Sequence, residues 1–334
     1  MKILHGKKLD SFQLKQNLNK EQSVANSKQA SLAITPGQVI SHCPLCQSRE
    51  SEALQTIYNF EYLLCLGCDG VYVANPPSND ALKDLYNSDY YTNANKALLA
   101  SENIIDFRTK HIAEPKIDFV MQHLSSDKKS WLDIGSGAGE ILGAAKARGF
   151  ECLGLEANLA EREFAQRKFD IDVRDAFLDE TTMEEYRGDW GVVSLFSVLE
   201  HIADPPALLR TISAMQQGGD NLVVEVPHYP SVSAFSQMTF PEHVNRVMHP
   251  PIHLFLFSLP SLKRLLETYF YEIKSVWFFG QDLYEVLSTL SLYAPKLNDS
   301  ILHTKLSELI GDFQQTIDDK ELCDTLFVVA ERTE

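Results

Sequence analysis

The sequence predicts an α/β protein: a seven-stranded, mostly parallel sheet wrapped by helices, preceded by a small cysteine-based module. Three observations predict it. From Trp131 onward, short apolar runs alternate with amphipathic segments of helical period, the pattern of parallel sheets covered on both faces. A glycine-rich loop follows the first of these runs, in 131-WLDIGSGAGEIL-142. Four of the six cysteines form two C-x-x-C pairs upstream of it.

Taken in order, the strands are WLDIG, FECLGLE, a short third strand before VRDAFLDE, WGVVSLF, NLVVEVP, YEIKSVWFF and DTLFVVAE. Between them EILGAAKARG, LAEREFAQRKF, PPALLRTISAMQ and SLKRLLETYF have helical spacing. Residues 1–38 are rich in Lys, Gln, Asn and Ser and read as a mobile or loosely helical tail. Residues 39–76 hold the cysteine module, with TIYNFEYLLC and GVYVANPP as short strands. Residues 77–127 read as a helical connector or lid. It comprises a short helix over 78–92, with Tyr90 and Tyr91 at the junction, and a longer one over 101–124 bent at Pro115. The domain of residues 128–334 carries inserts at about 228–258 and 281–320.

The chain has 334 residues, 44% of them apolar, enough for a sizeable core. It carries 46 acidic against 30 basic residues, a net charge of −16. Such a surface repels polyphosphate, so nucleic acid is not the expected partner. No apolar run approaches membrane-spanning length. The expectation is a cytoplasmic protein, monomer or homodimer, without membrane or nucleic-acid partners.

Cys43, Cys46, Cys65 and Cys68 have the spacing of a four-thiolate zinc site. Thiolates at i and i+3 bend round one ion, and two such pairs complete a tetrahedron. Zinc is therefore expected in a structural, closed site that folds a small zinc ribbon.

The glycine loop departs from the dinucleotide fingerprint, because Glu140 stands where a third small residue is needed. No G-K-[ST] follows, so it is no P-loop either. Its pattern is Asp133, Gly135, Gly137 and Gly139 at alternate positions. The backbone can approach a ligand there, and Asp133 is placed to hold a cationic amino group. Glu156 ends the next strand, in GLEAN, where a carboxylate can accept both hydroxyls of a ribose. Asp175 follows the third strand. It reads either as a partner of an adenine amino group, with Ala176 or Phe177 over the ring, or as a surface turn acid.

These residues resemble the class I S-adenosylmethionine (SAM)-dependent methyltransferases. LDIGSGAGEIL is similar to their first motif, GLEAN to their second, and FSVLEHIADPPALL to the segment after their fourth strand. CPLC, CLGCDGVYVANPPS, LYNSDYY, EVPHYPS and HLFLFSLPSLKRLLETYF resemble a subfamily with an N-terminal zinc ribbon. Its members serve surface-polysaccharide and deoxysugar pathways, including sugar C-methylation. The resemblance implies a Rossmann-like fold and a SAM site at Asp133, Gly135, Ser136, Gly137, Gly139, Glu156, Ala157, Asp175, Ala176 and Ser197. It also implies a small-molecule acceptor, possibly a nucleotide sugar, methylated at carbon or oxygen.

A hydroxyl or activated carbon needs a base near its methyl donor, and histidine suits that task. His201 and His228 leave the fourth and fifth strands, and the insert 237-QMTFPEHVNRVMHPPIHLFLFS-258 carries Glu242, His243, His249 and His253. The resemblance favours Glu242 and His243 as an acid/base pair, with His228 second and His201 bracing its loop. The insert's histidines also suggest a metal, but no compact H-x-x-x-H stands on a helix. Two rival classes stay open: a zinc-bearing nucleic-acid methyltransferase of the ribosomal-RNA type, and a non-enzymatic protein that keeps the fold.

Overall fold

The computed structural model describes residues 1–5, 20–86, 99, 102–244, 246–298 and 300–334. Tyr90 and Tyr91 lie outside them.

The central sheet has eight strands where the sequence predicts seven. They are β1 (Lys2–His5), β5 (Ser130–Ile134), β6 (Glu151–Leu155), β7 (Asp172–Arg174), β8 (Val192–Phe196), β9 (Asn221–Pro227), β11 (Tyr271–Phe279) and β12 (Thr325–Arg332). Their spatial order is β1-β11-β12-β9-β8-β5-β6-β7. The five strands from β9 to β7 run parallel, and β12 is antiparallel to both its neighbours. The eighth strand is β1, which pairs in parallel with β11 from the segment expected to be a tail. Its four residues sit on an edge, where pairing with one neighbour satisfies half of the backbone groups.

The strands form where β-branched and large apolar side chains cluster. Val192, Val193, Leu195, Leu222, Val223 and Val224 are all fully buried, as expected of parallel strands covered on both faces. Helices α5 (Glu140–Lys146), α6 (Leu159–Phe169) and α8 (Pro205–Met215) make the crossovers. Asn158 and Asp204 cap α6 and α8 with their side chains. The expected 101–124 helix is in three pieces: α3 (Glu102–Arg108), a π-helical turn at Thr109–Ala113, and α4 (Glu114–Met121). Pro115 lies in a continuous run of helical backbone, where its missing N–H forfeits one helical hydrogen bond, and the π-helical distortion sits just before it.

The cysteine module is a hairpin rather than isolated strands. β2 (Ser51–Ile57) and β3 (Phe60–Cys65) are joined by Tyr58 and Asn59, both with positive φ, as a two-residue hairpin turn requires. β4 (Val71–Val73) extends the sheet. Its fourth strand, β10 (Phe255–Leu256), comes from the insert after β9. The Val73 amide donates to the Leu254 carbonyl at 2.9 Å. One apolar core runs from Tyr62 and Tyr72 in the module through Phe255 and Phe257 to Leu195 and Val224 in the large sheet.

The segment expected to be a tail also holds helix α1 (Lys20–Leu32), whose Val24, Ser27 and Ser31 are buried. Ser27 Oγ lies 2.5 Å from His249 Nε2, and Ser31 donates to the Pro250 carbonyl, so α1 packs on the insert. The low apolar content that suggested a tail reflects a helix held by hydroxyl contacts.

Because the module and the large domain share a core, they are expected to unfold together. Phe255→Ala, at a site 3% exposed, should cost about 3–5 kcal/mol. Denaturant melts read by separate probes in the two sheets should coincide; a separate early transition of the module would contradict this.

Candidate functional site

The carboxyl ends of the parallel strands carry, side by side, the glycine loop after β5, Glu156 after β6, Asp175 after β7, Ser197 after β8 and His228 after β9. This edge of an open α/β sheet is where ligands bind.

A cavity of about 220 Å³ opens against the glycine loop. Gly135, Gly137 and Gly139 all have positive φ, of 71°, 52° and 84°. A Cβ on Gly135 would stand 2.6 Å from Val198 Cγ2, and one on Gly139 2.7 Å from Ala165 Cβ. Only glycine fits these positions. Ser136 Oγ is buried in the lining and has no hydrogen-bond partner among the described residues, an unmet polar group that a ligand can satisfy.

Asp133 sits on the cavity floor, 1% exposed. Ser194, its register neighbour on β8, donates to its Oδ1 at 2.5 Å and accepts from Trp131 Nε1 at 2.8 Å. Burial raises the Asp133 carboxyl to about 7, against the lowering by Ser194, and Glu156 and Glu140 add to the rise. Burial likewise pushes Glu161 up to about 8, with Glu156 and Glu140 adding and Arg108 opposing. Four carboxylates line the cavity (Asp133, Glu140, Glu161 and Glu225) against two cations, Arg108 and Lys116. Both cations are already paired, Arg108 Nε with Glu140 at 2.6 Å and Lys116 Nζ with Glu225 at 2.6 Å. The surplus is acidic, so the cavity favours a ligand with cationic groups over a polyphosphate.

Glu156 braces the loop: its oxygens accept from the Gly137 amide at 2.9 Å and the Asn158 amide at 2.8 Å. Each carboxylate oxygen keeps a further lone pair for a hydroxyl. Beside it, the Ala157 carbonyl accepts from Arg162 at 2.6 Å. Arg162 also reaches Asp175 at 2.9 Å, and Asp175 is otherwise exposed with Ala176 half-buried beside it. Ser197 lines the cavity with a positive φ of 53°.

The candidate bases are spread around this edge, and none lines the cavity. His228 is buried, with Nδ1 2.9 Å from the Cys323 carbonyl, and burial lowers its pKa. His201 Nδ1 lies 2.8 Å from the Ile252 carbonyl, and burial lowers its pKa to about 4. His243 packs on the Tyr293 ring at 4.5 Å, with its Nδ1 buried and unpartnered among the described residues. Glu242 is exposed and pairs with Lys28 of α1.

Arg108, Lys116, Glu161 and Glu225 escaped the sequence reading. Arg108 and Lys116 precede the sheet and carry no motif. Glu140 was legible only as an obstacle to a dinucleotide; the structure buries its carboxylate under Arg108.

The four module cysteines are free thiols that converge. Cys43 and Cys68 sulfurs are 3.9 Å apart, Cys46 and Cys65 sulfurs 3.5 Å. Sulfurs held tetrahedrally at about 2.3 Å from a zinc ion stand about 3.8 Å apart. Gln47 and Asp69, each four residues after a leading cysteine, have positive φ and return their amides to the Cys43 and Cys65 carbonyls. The donor set and spacing fit zinc.

The fold and the glycine-loop cavity agree with the class I SAM-dependent methyltransferases that the sequence motifs resemble. The chain belongs to the family described as "Methyltransferase domain", whose profile matches residues 107–276. It is 25% identical over 126 residues to the ubiquinone biosynthesis O-methyltransferase of Marinobacter nauticus, covering 36% of this chain and 53% of that protein. It is 29% identical over 119 residues to the protein of that name from Pseudomonas entomophila, covering 34% and 51%. The chain thus spans about half the length of the curated relatives it matches. Among solved structures, it is similar to a SAM-dependent methyltransferase from Archaeoglobus fulgidus (18% identity, 73% of this chain, 100% of that one, TM-score 0.45). It is also similar to geranyl diphosphate C-methyltransferase from Streptomyces coelicolor (17%, 77%, 89%, 0.43).

Two outcomes follow for cofactor affinity. Glu156→Gln should weaken SAM binding by about 1.5–3 kcal/mol, the worth of charge-assisted hydrogen bonds, as read by calorimetry. A cationic ligand favours ionised Asp133, so binding should expel a proton where that carboxyl is protonated, below about pH 7. SAM affinity should rise about tenfold from pH 6 to pH 8 through this group alone, and Asp133→Asn should remove that part. A flat or inverted profile would exclude the assignment.

Proposed function

We propose that the chain transfers a methyl group from SAM to a hydroxyl or activated carbon of a small polar metabolite, a sugar nucleotide or a related precursor. The observation that carries the reading is the acid-rich cavity at the glycine loop, bounded on the β8–β9 side by Phe196, Ser197 and Glu225. The sulfonium of SAM supplies the methyl as an electrophile. The protein's tasks are then to hold donor and acceptor in line and to remove the acceptor's proton.

In this reading Asp133 and the glycine-loop amides hold the amino-acid end of SAM. Glu156 takes its ribose, and Asp175 with Ala176 its adenine. The insert and the second helical insertion, α11 (Asp282–Tyr293) and α12 (Ile301–Asp318), border the acceptor. Resemblance to the ribbon-bearing subfamily supports the sugar nucleotide, and the net charge of −16 argues against RNA. His243 is the proposed base. Its buried, unpartnered Nδ1 has a hydrogen-bonding capacity that a substrate can use. Glu242, turned to Lys28, instead ties α1 to this turn. The four thiolates hold a structural zinc.

Incubation with labelled SAM and a panel of nucleotide sugars, small phenols and RNA tests the acceptor class. Transfer to nucleotide sugars is expected; transfer to RNA alone would overturn the reading. His243→Ala should lower single-turnover rate about 10²–10⁴-fold with SAM affinity kept; near-wild-type turnover would remove His243 from the role. Protein purified reduced and without chelator should retain a zinc that Cys43→Ser loses. Because the module shares the core, that variant should also destabilise the whole chain. Elemental analysis finding equal zinc in both proteins would refute the assignment.

A further inference from the structure

A second group of potential ligands lies outside the cysteine module. Glu200 and His201 form the turn Leu199–His201 that follows β8, and His253 comes from the insert. One ligand atom from each lies within 4.8 Å of the others. His201 Nε2 is 3.7 Å from Glu200 Oε1, and the His201 and His253 rings meet edge to face at 4.9 Å.

Three features distinguish this group from a chance meeting of polar side chains. Glu200 is 1% exposed, and its Oε2 is buried with no hydrogen-bond partner among the described residues. A buried carboxylate oxygen in that state is costly unless a proton or a cation meets it. Each histidine has Nδ1 at a backbone carbonyl: His201 at Ile252 (2.8 Å) and His253 at Val247 (2.9 Å). That contact fixes the ring and directs Nε2 to the other side, as metal-binding histidines require. The Ser197 carbonyl also accepts from the His201 ring, a contact that a bound ion would displace. The backbone holds the group in register as well, since the Leu254 amide donates to the Glu200 carbonyl at 2.8 Å.

We propose that Glu200, His201 and His253 form a binding site for a divalent transition-metal ion, distinct from the four-cysteine site. Two imidazoles and one carboxylate suit zinc, manganese or iron. Ligand bonds of about 2.1 Å bring cis donors to about 3.0–3.4 Å, so the Glu200–His201 pair, 3.7 Å apart, needs to close by well under an ångström, and no pair by more than about 1.8 Å. Three protein ligands leave coordination positions for water or for an acceptor oxygen. Ser197, at the cavity, lies only three residues before Glu200.

The test uses full-length protein with its cysteine site saturated with zinc, titrated with Mn²⁺ and read by electron paramagnetic resonance of the free ion. Manganese prefers nitrogen and oxygen donors to thiolates, so it reports on this site. The expected result is one Mn²⁺ bound per chain. Glu200→Gln and His253→Gln should each weaken it by about tenfold or more, with SAM affinity retained as the sign of a folded cleft. No Mn²⁺ binding by the wild type at millimolar ion, or equal binding by folded variants, would overturn the proposal. Should both variants misfold, the wild-type stoichiometry decides. The methyl-transfer reading does not enter this measurement, so either can fail alone.

Discussion

The organisation of the molecule depends on one short run of backbone, residues 252–257. The Ile252 carbonyl meets His201, and the Leu254 amide donates to Glu200. The Leu254 carbonyl takes the Val73 amide of the cysteine module, and the Phe257 amide donates to Pro227 at the end of β9. Six residues thereby join the turn after β8, the end of β9 and the small sheet. Buried backbone groups must be paired, so this run cannot shift without breaking all three connections. Its side chains Leu254, Phe255, Leu256 and Phe257, all buried, supply the apolar core that makes the arrangement cohesive.

That constraint explains why the cysteine module belongs to the body of the fold rather than to a loose appendage. A hairpin of this size buries too little apolar surface to fold alone. Here it gains a fourth strand from the insert and a shared core. The insert gains in turn a fixed conformation over the β8–β9 edge. α1 secures the outer side through Ser27, Ser31 and Lys28. The cofactor side is organised by a different principle, buried acidity. Asp133, Glu140 and Glu161 are withdrawn from water around a loop of glycines, an arrangement that costs stability in the absence of a cationic ligand and favours binding of one.

The elements that were legible in the sequence are those set by local chemistry. The glycine loop announces itself because positive φ and close contacts at Gly135 and Gly139 exclude other residues. The parallel strands announce themselves as unbroken apolar runs, and the cysteine pairs by their spacing. What was hidden depends on distant partners. KILH is a strand only because β11 offers an unpaired edge. The Tyr58–Asn59 turn lacks the glycine that usually marks a two-residue hairpin. Glu242 looked like a partner for the adjacent His243, yet α1 brings Lys28 to it. Glu200 and His253 meet only because β10 joins the small sheet, which no local pattern records. The His-rich insert hints at metal ligands in the sequence, but the groups that meet His253, Glu200 and His201, come from another element.

The most direct measurement of the central claim is a crystal structure of the full-length protein with S-adenosylhomocysteine. The account predicts the ligand's amino group at Asp133, its ribose at Glu156 and its adenine by Asp175, with the 252–257 backbone unmoved. A ligand seated elsewhere, or none bound in a cavity that still shows the same glycine loop, would contradict it.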